Sequence, residues 1–318
     1  MHTTANDDDR ELALILPIGR PVLTNELFDL GMTARQLARL VQVDLIRRPF
    51  RGVYLSGLTD DDLEMRMHVL RLVVPDGCVV TDRSAGWVWA GDRILAPNAH
   101  LATPPLSVFC KPGHRLRSKL TDSGERRFLS QDLTVVDGLT LSTPLRTACD
   151  LGRLLHRDQA FAALDTMAAT GMLSAEELIL EAQRFRRYRG VIQLRTFVVL
   201  VDPRSESQGE SILRLRWYDT GLPAPECQVE VETPWGATYR LDIGLEELLL
   251  AAEYDGEQFH GEDTTDHDED RRGWLREERG WEIVVARRKN VHGAAADIHG
   301  LLWNAWKAAE QRARLTRP

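Results

Sequence analysis

The sequence predicts a multidomain α+β protein, and three observations carry that prediction. The chain has 318 residues, more than one hydrophobic core ordinarily organises, so two or three domains are expected. Short strand-like and helix-like apolar runs occur together in both the middle and the C-terminal parts. Between them, Val201-Asp-Pro-Arg-Ser-Glu-Ser-Gln-Gly209 has the composition of a linker. The expected division is a disordered tail over residues 1–10, a small unit over 11–58, a middle α/β and helical region over 59–200, and an α/β domain over 201–318.

Within the small unit, Thr24 to Leu30 predicts a short helix ended by Gly31. Thr33-Ala-Arg-Gln36 has the spacing of a capping box and opens a second helix with Leu37, Leu40 and Val41 on one face. Leu45 to Leu55 reads as a turn and a small hairpin. Two short helices followed by a basic hairpin look like a winged helix-turn-helix. The charges agree: Arg35, Arg39, Arg47, Arg48 and Arg51 face a single acid, Asp44, inside a chain whose formal net charge is −8. These five arginines are the candidate DNA contacts. A solvated basic helix face is the plain alternative.

The middle region offers strands at Gly77–Thr81, Leu106–Cys110 and Leu133–Val136, and helices opening near Asp82 and at Thr143-Pro144. It holds no catalytic constellation, and His114 stands alone. Residues 157–200 read as helical, with Ser174-Ala-Glu-Glu177 as a cap. In Arg184-Phe-Arg-Arg-Tyr-Arg-Gly190 the cations suit a helix C-terminus.

Composition excludes several classes. Cys78, Cys110, Cys149 and Cys227 are scattered without Cys-x-x-Cys spacing, which argues against a zinc site or a disulfide framework. No apolar run approaches the roughly 18 residues of a membrane span, and the acidic N-terminus lacks the basic start of a signal peptide. A reducing cytoplasm follows by elimination.

The last part predicts a helix from Glu210 to Thr220, strands at Glu226–Glu232, Thr238–Ile243, Glu247–Glu253 and Trp281–Ala286, and a final helix over about residues 296–314. Here the chemistry concentrates. Leu248 to Ala252 is apolar and then abruptly acidic, with Glu253 and Asp255 on one face by period-two alternation. Asp242 lies on the preceding strand, where a hairpin brings it to Glu253. Carboxylate oxygens suit Mg²⁺ or Mn²⁺, and clustered carboxylates lacking a cation raise one another's pKa. Plain roles are open too: Glu210 as part of a helix cap, Asp255-Gly256 as a turn, and His260 as a loop residue.

The segments Glu206-Ser-Gln-Gly-Glu-Ser-Ile-Leu-Arg214, Arg240-Leu-Asp-Ile243, Ala252-Glu-Tyr-Asp-Gly256 with His260, Asp268-Glu-Asp-Arg-Arg272 and Gly280-Trp-Glu-Ile-Val-Val285 occur in an order that resembles the PD-(D/E)XK, restriction-endonuclease-like fold, and in particular its Vsr-like branch. Asp82-Arg-Ser-Ala-Gly-Trp87 and Gly138 to Leu151, behind the small basic unit, resemble the AbiEi-type antitoxins. The first resemblance implies that Asp242 and Glu253 bind Mg²⁺ with the Tyr254 carbonyl. It also implies that Glu210 orients a metal-bound water, that His260 serves as acid or base, and that Arg214 or Arg271 stabilises charge on the phosphoryl group. The usual signature has lysine where this chain has Asp255. The expected function is Mg²⁺-dependent endonuclease cleavage of DNA directed by the basic N-terminal unit. The alternatives are a non-catalytic regulator or antitoxin keeping a degenerate nuclease fold, with a toxin or defence-system partner, and, more remotely, an RNA target.

Overall fold

The computed structural model describes residues 5–94, 105–110, 121–256 and 262–316, with the backbone alone at 121–122, 262–268 and 316. The architecture is mixed α/β with three separate sheets among the described residues. Contacts gather the chain into two units, residues 1–154 with 170–194, and residues 155–169 with 195–318.

The first unit opens with α1 (Asp7–Ala13), β1 (Val22–Leu23), α2 (Thr24–Asp29), α3 (Ala34–Gln42), β2 (Ile46–Phe50) and β3 (Val53–Ser56). Asp7 to Arg10, expected as tail, are helical because Asn6 and Asp9 cap each other's backbone amides. Thr33 and Gln36 form the expected capping box on α3. Its inner face sends Leu37, Leu40 and Val41 into a core shared with Leu27, Ile46 and Tyr54. Gly52, at φ 89°, makes the turn between β2 and β3 in a backbone region that disfavours side chains. The three strands form an antiparallel sheet in the order β1-β3-β2.

The rest of this unit comprises α4 (Leu63–Val73), β4 (Cys78–Val80), α5 (Asp82–Ala90), β5 (Leu106–Cys110), β6 (Thr121–Glu125), β7 (Leu133–Val136), β8 (Leu139–Ser142), α6 (Pro144–Leu154) and α8 (Ala175–Arg184). The strands form one sheet in the order β6-β5-β4-β8-β7. Its interior holds a charge network that the sequence did not announce. Fully buried Asp150 accepts from Arg126 at 2.9 Å, Arg146 at 2.8 Å and Arg153 at 2.7 Å. Asp132 pairs with Arg146 and Arg184. Positive and negative groups alternate in it, so each carboxylate is compensated where its burial would otherwise be costly.

The second unit contains α7 (Arg157–Ala168), α10 (Gln208–Asp219), β9 (Glu226–Glu232), β10 (Thr238–Leu245), β11 (Leu250–Asp255), α11 (Glu262–Glu277), β12 (Glu282–Arg287), α12 (Arg288–Val291) and α13 (Ile298–Thr316). Helix α9 (Val191–Val198) spans the division between the units. The linker composition places the boundary at residue 201, and the contacts add α7 to the later unit. The anchor is a buried ion pair, Asp165 on α7 with Arg214 on α10 at 2.6 Å.

β9, β10 and β11 run antiparallel, and β12 joins β11 in parallel, giving the order β12-β11-β10-β9. A parallel neighbour needs a crossover, which α11 supplies. The sheet is covered on both faces. Leu250, Ala252, Val284 and Ala286 pack in one cluster with Ile212 and Trp217 of α10 and Leu302 of α13. Ala251 and Ile283 pack in the other with Leu275 of α11. Burying Trp217 alone contributes about 3 kcal/mol by apolar area, and its Nε1 donates to the Pro223 carbonyl at 2.8 Å. β11 starts at Leu250 rather than at the expected Glu247, because Glu246–Leu248 form a 3₁₀ turn and Leu249 takes a left-handed φ of 49°.

Candidate functional site

The site lies where the C-terminal half of β11 runs beside the middle of β10, next to the N-terminus of α10. Antiparallel register pairs Ile243 with Ala252, so one step further Asp242 stands across from Glu253. The two strands are also tied directly: the Tyr254 amide donates to Asp242 Oδ2 at 2.7 Å. Glu253 is almost fully buried. Arg272 Nε, from α11, donates to its Oε2 at 2.6 Å. Arg271 Nη2 lies 2.8 Å from Oε1 in an ion pair that is not a hydrogen bond, so this buried oxygen has no hydrogen-bond partner among the described residues. Buried carboxylate oxygens without a hydrogen bond are costly.

Glu210 enters from α10, where Ser207 caps the helix and accepts from the Glu210 amide at 3.1 Å. The Glu210 carboxylate accepts from the Glu206 amide and from Gln228 Nε2. The Glu210 carboxylate thus also steadies the turn that leads into α10. Its backbone is held close to β11 by Gly209, where an added Cβ would meet the Tyr254 ring at 2.2 Å. Only glycine allows that approach.

Electrostatics mark Asp242. Burial first, then the negative charge of Glu210, and less strongly that of Glu253, push its pKa up to about 7, against the opposing pull of the Tyr254 amide and Arg271. Asp255 pairs with Arg287 Nε at 3.1 Å, and the two residues are register partners on β11 and β12. A cation thus sits beside the position where the sequence has an acid in place of lysine. Among the described residues, no group of three or more His, Cys, Asp or Glu side chains is arranged to hold a metal ion. Asp242 and Glu253 are two facing carboxylates, and Mg²⁺ commonly takes one or two.

His260 and His114 lie outside the described residues. Arg214 is corrected: it is buried, bonded to Asp165 and to the Leu200 carbonyl, and has no access to a phosphate at the site. Its charge serves the interior because Asp165 would otherwise be uncompensated. Arg271 does reach the site, and its Nη1 also donates to the Arg240 carbonyl. The sequence missed Arg272 and Arg287. The doublet Arg271-Arg272 was visible, but nothing local says that both converge on one carboxylate.

In the N-terminal unit the five arginines divide. Arg39 is tied to Asp9 at 2.9 Å, fastening α1 to α3, and Arg47 donates to the Thr59 carbonyl. Arg35, Arg48 and Arg51 have no ion pair among the described residues, and Arg35 and Arg51 are exposed. Arg48 lies over the Tyr54 ring, 5.5 Å from its centroid.

No protein-family model matches the chain. Two Mycobacterium tuberculosis proteins, uncharacterised protein MT2308 of strain CDC 1551 and uncharacterised protein Rv2248 of strain H37Rv, are each 28% identical over 254 residues, covering 80% of this chain and 89% of each relative. The similarity runs through most of both chains and brings no activity with it. No helix among the described residues is long and apolar enough to cross a membrane.

Proposed function

We propose that this chain is a Mg²⁺- or Mn²⁺-dependent DNA endonuclease whose N-terminal unit binds duplex DNA. The observation that carries the reading is the placing of Asp242 and Glu253 on neighbouring antiparallel strands, with a buried Glu253 oxygen that has no hydrogen bond among the described residues. The donor set fits a hard divalent cation, since carboxylate oxygens without nitrogen or sulfur are what Mg²⁺ prefers. The element order helix-strand-helix-helix-strand-strand supports the winged-helix reading of the N-terminal unit. The four-stranded sheet with helices on both faces supports the Vsr-like reading of the C-terminal one.

Asp242 and Glu253 would hold the cation, which would polarise the scissile phosphate and lower the pKa of the attacking water. With its pKa pushed up to about 7, Asp242 is partly protonated near neutral pH. Glu210 accepts from its own helix start and from Gln228, which fixes its carboxylate beside Asp242. Arg271 and Arg272, now paired with Glu253, would take phosphoryl oxygens, and Arg287 brings positive charge to Asp255. Arg35, Arg48 and Arg51 hold the duplex backbone. His260 keeps its expected acid–base role on the resemblance alone.

One observation favours a non-catalytic regulator or antitoxin instead. Two guanidiniums already neutralise Glu253, so the acids have a structural partner without metal. A toxin or defence-system partner rests on the AbiEi resemblance, and a cytoplasmic setting on four free cysteines. Metal-dependent cleavage of duplex DNA, compared between wild type and variants at Glu253 and Asp242, separates the two readings.

A further inference from the structure

A groove of about 400 Å³ runs between α2, α3 and the β2–β3 hairpin of the N-terminal unit. Phe28, Leu37, Ala38 and Tyr54 give it apolar walls, and Arg48 and Arg51 stand among them. Three features set it apart from an ordinary surface depression. Phe28 leaves 45% of its surface exposed, while its neighbour Leu27 on the same helix is fully buried. Neither arginine has an ion pair among the described residues. The Arg48 Nε is buried and makes no hydrogen bond among the described residues.

We infer that this groove is a binding site for a small planar organic carboxylate. Phosphate contact alone would call for charge and exposure, not for aromatic and aliphatic walls. An apolar body with one anionic end satisfies both halves of the lining, resting on Phe28 and Tyr54 while its carboxylate accepts from Arg48 and Arg51. The volume falls in the range of small-molecule sites, roughly 300–1,000 Å³. Because Arg48 and Arg51 are also proposed phosphate contacts, an occupant would compete with duplex DNA and make DNA release ligand-dependent. The site itself does not depend on the nuclease reading or on DNA binding.

The test is calorimetric titration of the full chain, without DNA, using 2-naphthoate, the uncharged 2-naphthalenemethanol and inorganic phosphate as probes. The expected result is 2-naphthoate binding with Kd below about 1 mM, and both other probes weaker by about tenfold or more. Ala38→Phe, which fills the groove from an exposed position, and Arg51→Gln, which removes one exposed unpaired cation, should each weaken 2-naphthoate by about tenfold or more. Arg51→Gln keeps the test decisive if Ala38→Phe fails to fold. Equal binding of the uncharged probe, equal binding of phosphate, no heat with 2-naphthoate, or wild-type affinity in folded variants would each overturn the assignment. With DNA absent from the cell, none of these outcomes bears on duplex binding.

Discussion

Asp242 Oδ2 accepts a hydrogen bond from the Tyr254 amide at 2.7 Å, so the carboxylate on β10 holds the end of β11 in place beside Glu253. The same oxygen pair is pushed toward protonation by burial and by Glu210. One residue therefore links strand geometry to the charge state of the site.

The pH dependence of stability follows from that link. The Asp242 pKa, about 7 in the folded protein, lies above its ordinary 3.8. Its contribution is full below the unfolded value and is lost as pH rises through about 7. In EDTA, Asp242→Asn should gain stability over wild type between pH 4 and pH 8, on the order of a few kcal/mol. Denaturant melts across this range check it, and parallel curves for the two proteins would refute it.

The Gly209 backbone lies against the Tyr254 ring, where an added Cβ would meet ring carbons at 2.2 Å. Gly209→Ala should destabilise the protein by about 1–3 kcal/mol through overpacking. Adding Tyr254→Ala should recover most of the clash component. Urea melts of the single and double variants measure the coupling, and simple additivity would mean that the ring moves aside freely.

Arg214 and Asp165 make the buried ion pair that joins α10 to α7. Arg214→Ala leaves Asp165 buried without its cation and should cost about 3–5 kcal/mol. Arg214→Met combined with Asp165→Leu should be milder, because no charge is then stranded. A single variant with wild-type stability would remove the pair from the account.

The N-terminal arginines should separate by partner. Arg35→Ala, Arg48→Ala and Arg51→Ala should each weaken duplex binding and lower the salt slope by roughly 0.9 per contact. Arg39→Ala should chiefly lower stability, since Arg39 holds Asp9. Fluorescence anisotropy across a salt series, beside thermal melts, distinguishes the two effects.

Much of this was legible where the signal is local. The capping box at Thr33 and Gln36 announced α3, and an apolar run closing on Glu253 announced a carboxylate on a buried strand. The pairing of Asp242 with Glu253 needed only a hairpin, which the short connection supplies. What stayed hidden depends on distant partners. Nothing around Arg214 in sequence points to Asp165, 49 residues away, so a structural cation resembled a phosphate ligand. The parallel β11–β12 register brings Arg287 to Asp255, and the crossover that sets it cannot be read from either strand. The left-handed Leu249 likewise delayed β11 by a few residues, because a leucine carries no local mark of that backbone conformation.

The central claim is tested most directly by incubating plasmid, linear duplex and mismatched DNA with the purified protein in Mg²⁺, Mn²⁺ or EDTA, beside Glu253→Gln and Asp242→Asn. The account predicts metal-dependent cleavage by wild type, abolished in EDTA and reduced by about 100-fold or more in both variants. A wild-type protein that binds duplex DNA and cuts none of these substrates, or a Glu253→Gln variant that cuts as wild type does, would contradict it.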